Sequence, residues 1–406
     1  MLRHLLKLIL LLISLSASSQ VKVLPAEEHW VGTWATAPQN VVKSYMPYNN
    51  NMTNRSVRQV VKVSIGGSAI RLKLTNELST EPLEIRSVYI ATALDSCDIV
   101  EKTAKYLQFG KKYKVTIPAG KAVWSDALKF NLKPLQRVAI TINYTKAPTN
   151  PTVHMGSRTT TYILRGITNA QSSFKTAFRE NHWFNIDAIE VNSALDKAIA
   201  IIGNSITDGK GSTDNAQNRW PDMMSEVLNN PSPTPTQPAA SPHGVLNLGI
   251  GNNRITLSGG YGKPAITRFQ RDIMEQHGVE KVVIFEGIND IGAAKGNSEQ
   301  VAEKIIQAIK QMVQIAQDAK KKVYIGTITP FKGAGYYSRF HEAARLYVND
   351  WIRSQAKNVN GILDFDELLR APKDREQLQK NLQSDWLHPN AAGYKLMGEY
   401  AARILR

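Results

Sequence analysis

The chain has 406 residues, 42% of them hydrophobic, so it is long enough for two or three domains with packed cores. Its single cysteine, Cys97, excludes an internal disulfide and reads as a buried small hydrophobe. The 50 Lys and Arg outnumber the 34 Asp and Glu, for a net charge of +16, but no dense basic tract with interleaved aromatics points to nucleic acid.

In chain order, the start "MLRHLLKLILLLISLSASSQ" has a basic lead, an apolar run from Leu8 to Leu15, and small residues at Ala17 and Ser19. This pattern predicts a secretory signal over residues 1–19, too short to span a bilayer, and hence an exported protein, secreted or periplasmic, with no stable membrane insertion. No cysteine stands at the cleavage point to carry a lipid anchor. Residues 20–190 read as strands: "PLEIRSVYIATAL", "KKYKVTIPAGKAVW" and "LKPLQRVAITINYT" are bounded by Gly, Pro, Asp and Asn. Within them "VRQVVKVSIGGSAIRLKLTNE" is two β-rich runs joined by Gly66-Gly67, the signature of a hairpin. The expectation is an all-β sandwich of jelly-roll type.

From Lys197 to Arg406 the pattern changes. Short apolar strands ("KAIAIIG", "GVLNLGI", "EKVVIFEG", "KKVYIGTI", "NGILDF") alternate with amphipathic helices such as "EQVAEKIIQAIKQMVQIAQDAKK". This predicts an α/β domain over 197–406 with a parallel sheet covered on both faces, whose ligands bind at the carboxyl ends of the strands. The Pro-rich "NNPSPTPTQPAASPH" reads as a surface insertion.

Polar residues directly after the strands are therefore the candidate site. Ser205 follows Gly203-Asn204. A phosphate loop is excluded, because five residues rather than four separate Gly203 from Gly209, and Gly211 follows Lys210. A helix cap and a nucleophile remain open. A nucleophile needs a base, an orienting acid and oxyanion donors. "SDWLHPNAAGY" supplies Asp385 and His388, three residues apart, a spacing that lets one turn set the carboxylate against the imidazole. "VVIFEGINDIG" offers the Asn289 side chain as a donor, and "VLNLGIGNNRI" offers backbone amides. The helical "HEAAR" at His341–Arg345 lacks the second His of a zinc-protease motif, and no other His or Cys cluster has ligand spacing, so neither metal nor cofactor is expected. An α/β-hydrolase elbow would need Gly where Thr207 stands.

Taken in register, these blocks resemble the SGNH (GDSL) hydrolase superfamily over nearly all of Lys197–Arg406. The family's Gly-Asp-Ser appears as Gly203-Asn204-Ser205, its Gly-x-Asn-Asp as Gly287 to Asp290, and its Asp-x-x-His-Pro as Asp385 to Pro389. The resemblance implies a flavodoxin-like three-layer fold, Ser205 as nucleophile and oxyanion donor, His388 as base, Asp385 as orienting acid and Asn289 as side-chain donor. Two positions depart from the pattern. Asn204 replaces the usual Asp, and Asn252 stands where a Gly amide normally meets the oxyanion, with Gly251 as the adjacent alternative. Asn tolerates positive φ better than other non-Gly residues, so activity is expected to survive. "HWVGTWATAP" and the following β-rich runs resemble the sandwich of one group of exported SGNH esterases. Trp30, Trp34 and His154 read as core residues, with a ligand groove as the alternative. The implied function is a secreted serine esterase for short acyl, chiefly acetyl, groups on polysaccharides. A lipase or lysophospholipase, and a non-catalytic glycan-binding protein with a vestigial triad, are the alternatives.

Overall fold

The structure is a computed structural model and describes residues 29–94, 96–194, 196–230 and 242–406. The segment expected to be a signal, over 1–19, and the core of the Pro-rich insertion lie outside the described residues.

Residues 30–192 form two large antiparallel sheets whose inner faces share one core, and a small three-stranded sheet of Gln39–Asn40, Thr152–His154 and Trp183–Phe184. The larger has seven strands, with Thr161–Arg165, Arg55–Lys62, Arg137–Lys146 and Leu83–Thr92 side by side at its centre. The smaller has five, built on Trp30–Ala35, Ile186–Asn192 and Gly67–Thr75. Along Gly67–Thr75, Ile70, Leu72 and Leu74 are fully buried while Arg71 and Lys73 point the other way, the period-two alternation of a half-buried strand. Val57 and Val61 of the larger sheet meet them in the same core.

The hairpin expected from the sequence across Gly66-Gly67 does not form. Arg55–Lys62 and Gly67–Thr75 do not pair; they belong to different sheets, and the segment between them arches from one sheet to the other. The two glycines serve close packing rather than a hairpin turn. A Cβ on Gly66 would lie 2.4 Å from the Leu132 carbonyl oxygen, and one on Gly67 2.9 Å from Val191 Cβ. Trp30, Trp34 and His154 are all buried, and Trp34 packs edge-on against Trp183 at 5.1 Å between centroids. Cys97 is buried as expected.

The second part is a five-stranded parallel sheet. Its strands are Lys197–Gly203, His243–Gly249, Val279–Phe285, Lys322–Gly326 and Gly361–Leu363. Their spatial order is second, first, third, fourth, fifth, the flavodoxin-like arrangement. Alternate residues of Lys197–Gly203 enter two cores. Ala198, Ala200 and Ile202 join helices Ser298–Asp318 and Arg339–Ser354, whereas Ile199 and Ile201 join Trp220–Asn229 and Ala391–Leu405. The result is three layers around one sheet.

The sandwich closes the sheet edge at His243–Gly249. Ser64 Oγ accepts the Val245 amide at 2.9 Å, and the Gly32 amide donates to the His277 carbonyl at 3.1 Å. The Val245 amide, which would otherwise remain open for pairing on the edge strand, is thus satisfied by the preceding part of the chain. The same junction carries the sandwich loops up to the carboxyl ends of the parallel strands.

Candidate active site

The first parallel strand ends at Gly203, and a four-residue helix, Ser205–Asp208, begins at once. Asn204, not Ser205, is its cap: the Asn204 side-chain oxygen accepts the Ile206 amide at 3.0 Å. This disposes of the cap reading of Ser205 and leaves its side chain at the head of the helix, directed at His388. The distance from Ser205 Oγ to His388 Nε2 is 2.8 Å.

His388 sits in the turn before the last helix. Asn390 caps that helix through the Gly393 amide at 3.0 Å, and the Ser384 amide closes the turn on the His388 carbonyl at 2.9 Å. Trp386 takes a left-handed φ of 63°, which reverses the chain within three residues. The turn brings Asp385 Oδ2 to 2.8 Å from His388 Nδ1, while Asp385 Oδ1 accepts the backbone amides of His388 at 2.8 Å and Leu387 at 3.2 Å. Partial burial by itself would raise the Asp385 carboxyl, but hydrogen bonds from the His388 ring and amide override it and hold its pKa at about 2. A fixed carboxylate, an oriented imidazole and a serine hydroxyl thus stand in line.

The donors for a developing oxyanion converge on the same point. Asn252 has φ 54°, so the turn keeps the left-handed backbone that Gly would adopt, and its amide finds no acceptor among the described residues. Gly251, the alternative from sequence, is already committed, since its amide donates to Asp208 Oδ2 at 2.9 Å. Asn289 Nδ2 donates one hydrogen to the Asn253 carbonyl at 2.8 Å, leaving the second for the cleft that Ser205, Asn252 and His388 also line.

Several residues that hold this arrangement escaped the sequence reading. Arg268, fully buried, donates to the Leu248 carbonyl at 2.7 Å, the Gly203 carbonyl at 3.1 Å and Asn253 Oδ1 at 3.1 Å, with Asp272 as its counter-ion at 2.9 Å. It ties two strand ends to the donor loop. Asp290 accepts the amides of Ile255, Thr256 and Leu257 at 2.7, 3.1 and 3.2 Å and so fixes the far side of that loop. Nothing in the local sequence marks Arg268, whereas Asp290 stood in a recognised block without an assigned role.

The third contribution comes from the sandwich. His154 Nε2 lies 2.9 Å from Asp208 Oδ1, and its Nδ1 lies 2.9 Å from the Ala37 carbonyl. Gly156 follows because a Cβ there would fall 2.0 Å from Asp208 Oδ2. Gln39, Tyr45, Met155, Arg158 and His182 then form one wall of an open cleft of about 470 Å³ above Ser205. The "HEAAR" segment is a structural ion-pair centre instead, with Arg345 bonded to Glu342 at 2.6 Å and Asp366 at 2.8 Å. Among the described residues no group of three His, Cys, Asp or Glu side chains is placed to hold a metal ion.

No curated protein sequence matches the chain. Among solved structures, a GDSL-like lipase from Bacteroides thetaiotaomicron VPI-5482 is 19% identical, with 51% of this chain and 86% of that one covered at a TM-score of 0.37. A carbohydrate acetylesterase family member from Sinorhizobium meliloti is 14% identical, with coverage of 52% and 97% and a TM-score of 0.38. A member of the lipolytic protein G-D-S-L family from Veillonella parvula DSM 2008 is 18% identical, with coverage of 51% and 97% and a TM-score of 0.36. Residues 201–396, which contain Ser205, Asn252, Asn289, Asp385 and His388, match the GDSL-like Lipase/Acylhydrolase family, and this part of the chain is a domain of that family.

Proposed function

We propose that the protein is an exported serine esterase that removes short acyl groups, chiefly acetyl, from a polysaccharide. The observation that carries the reading is the 2.8 Å contact between Ser205 Oγ and His388 Nε2, with the other ring nitrogen held by Asp385. His388 Nε2 takes the serine proton as Oγ attacks the ester carbonyl. The oxyanion is met by the Ser205 and Asn252 amides and Asn289 Nδ2. Collapse breaks the ester C–O bond, and His388 gives its proton to the departing sugar oxygen. Water, deprotonated by His388, then attacks the acyl-serine, and the carboxylic acid leaves as Ser205 recovers its proton.

The lining argues for a short acyl group on a polar carrier. Gln39, Asn181, His182 and Lys210 all face the cleft, and a long alkyl chain laid over them would strip their hydration without replacing it. The tyrosines Tyr45, Tyr261 and Tyr336 supply flat apolar faces of the kind that sugar rings pack on. The basic lead and apolar run expected to form a leader over residues 1–19 support an extracytoplasmic site of action.

The test compares wild type and Ser205→Ala on p-nitrophenyl esters of two to twelve carbons and on acetylated xylan. The expected result is acetate release by wild type, a preference for the shortest ester, and a loss of about 10⁴-fold or more in Ser205→Ala. A wild type that cleaves no activated short ester overturns the catalytic reading in favour of a glycan-binding protein. A preference for the longest chains moves the substrate to lipid.

A further inference from the structure

The cleft above Ser205 is electrostatically one-sided. Two carboxylates line or border it, and both are committed. Asp208 is buried against His154 and the Gly251 amide, and Asp385 is held by His388. Two cations line it, and neither is committed. Among the described residues, no side-chain hydrogen bond or ion pair reaches Arg158 or Lys210, and Arg158 Nε is buried without an acceptor. His182, beside them, is kept toward its neutral form chiefly by burial, so it does not offset them. Of the acids behind the lining residues, Glu180 faces His182 Nε2 at 3.6 Å and Asp214 accepts from Asn181 Nδ2 at 3.5 Å, and neither forms an ion pair with Arg158 or Lys210 among the described residues.

Both cations are held in place through their backbone. The Arg158 carbonyl accepts the Asn215 amide at 2.9 Å, Arg158 has φ 50°, and Ser157 Oγ locks the turn on the Thr159 carbonyl at 2.7 Å. The Lys210 carbonyl accepts the Tyr394 hydroxyl at 2.6 Å. Arg158 comes from the sandwich and Lys210 from the α/β part, so each part of the chain contributes one positive group to the cleft. The left-handed backbone at Arg158 is uncommon for a non-glycine residue. Here it presents a guanidinium fork, the side chain best suited to grip a carboxylate with two parallel hydrogen bonds.

We infer that Arg158 and Lys210 select a carboxylate-bearing glycan, so that the scissile acyl group sits on or next to a uronate residue. Tyr45 and Tyr261 line the same cleft as faces for the sugar rings, with their hydroxyls approaching each other. This rests on the esterase reading above and adds the charge of the carrier. Because the exposed Lys210 and the open cleft are reached by salt, the preference is strongest at low ionic strength.

The experiment measures acetate release from acetylated polygalacturonate and from the same polymer with its carboxylates methyl-esterified, which removes their charge at the cost of one added methyl group each. The expected ratio of kcat/KM, free acid over methyl ester, is about tenfold or more at low salt, because a hydrogen bond to a charged group supplies roughly that factor. It should fall toward one in 0.5 M NaCl, and toward one at low salt in the Arg158→Gln, Lys210→Gln double variant. A wild-type ratio near one, or a ratio that survives both salt and the double variant, overturns the inference while leaving the esterase intact. Failure to release acetate from either polymer and from p-nitrophenyl acetate overturns the esterase reading instead.

Discussion

Two histidine–carboxylate pairs stand at the Ser205 cleft, and they differ in what faces the second ring nitrogen. His388 has Asp385 on Nδ1 and the Ser205 hydroxyl on Nε2. A neutral ring satisfies both, donating to the carboxylate and accepting from the hydroxyl, so it has a lone pair with which to take a proton. His154 has the Ala37 carbonyl on Nδ1 and Asp208 on Nε2. The carbonyl only accepts, so Nδ1 must carry hydrogen, and the second contact needs one proton shared with a buried carboxyl. No lone pair is left over. Burial separates the pairs in the same sense, because the Asp385 side chain is 45% exposed whereas those of His154 and Asp208 are each 2% exposed. The same two side-chain types act as a proton relay in one place and as a clamp between the two parts of the chain in the other.

The largest effect expected from this contrast is on rate. Asp385→Asn keeps the shape of the turn but no longer holds the imidazole in its base form, and kcat on a short ester should fall about 10⁴-fold. The melting temperature should barely move, because the side chain is half exposed. A loss of less than tenfold would put Asp385 outside the relay.

His154→Phe tests the other pair, and its main effect should be on stability. The ring volume and its packing against Trp183, now 5.6 Å between centroids, are kept, but Asp208 loses its buried partner. Breaking a buried pair from one side costs about 3–5 kcal/mol, or on the order of 10 °C in Tm. Turnover should fall by only about tenfold, through loosening of Asp208 and of the Gly251–Asn252 turn it holds. A 10³-fold loss at unchanged Tm would reverse the assignment and give His154 a part in the chemistry.

The contrast also explains what could be read in advance. Asp385 and His388 are three residues apart, so the pair is a local event that spacing alone proposes. His154 and Asp208 are 54 residues apart and meet only because the three-stranded sheet containing Thr152–His154 is set against the C-terminal end of the short helix Ser205–Asp208. The alternating strands and helices after Lys197 were legible for the same local reason, since each carries its own period. The Gly66-Gly67 arch was not, because adjacent β-runs read alike whether they pair or diverge into two sheets. What decides between them is the Leu132 carbonyl pressed against Gly66, a contact between distant segments. Arg268 is hidden in the same way, its partners spread from Gly203 to Asp272.

A third carboxyl, Glu286, has no histidine at all, and it accounts for the unusual Asn204. Burial pushes Glu286 up to about 8, against the opposing pull of Arg268, whose Nη2 lies 3.8 Å from Oε1. Asn204 Nδ2 donates to Glu286 Oε2 at 3.2 Å, so an aspartate in that place would set two carboxyls against each other. The proton linkage has a definite sign. Between the ordinary glutamate pKa near 4.5 and the folded value near 8, the native state holds a proton that the unfolded chain has released, so stability falls as pH rises through that window and levels off above it. Glu286→Gln removes this linkage, and its Tm relative to wild type should rise steadily from pH 5 to pH 8. Asn204→Asp should steepen the decline over the same range. A Tm difference between Glu286→Gln and wild type that stays constant with pH would mean that Glu286 is ionised in the fold and paired with Arg268. Asn204 would then be a donor to a carboxylate, a histidine substitute rather than a means of keeping two acids apart.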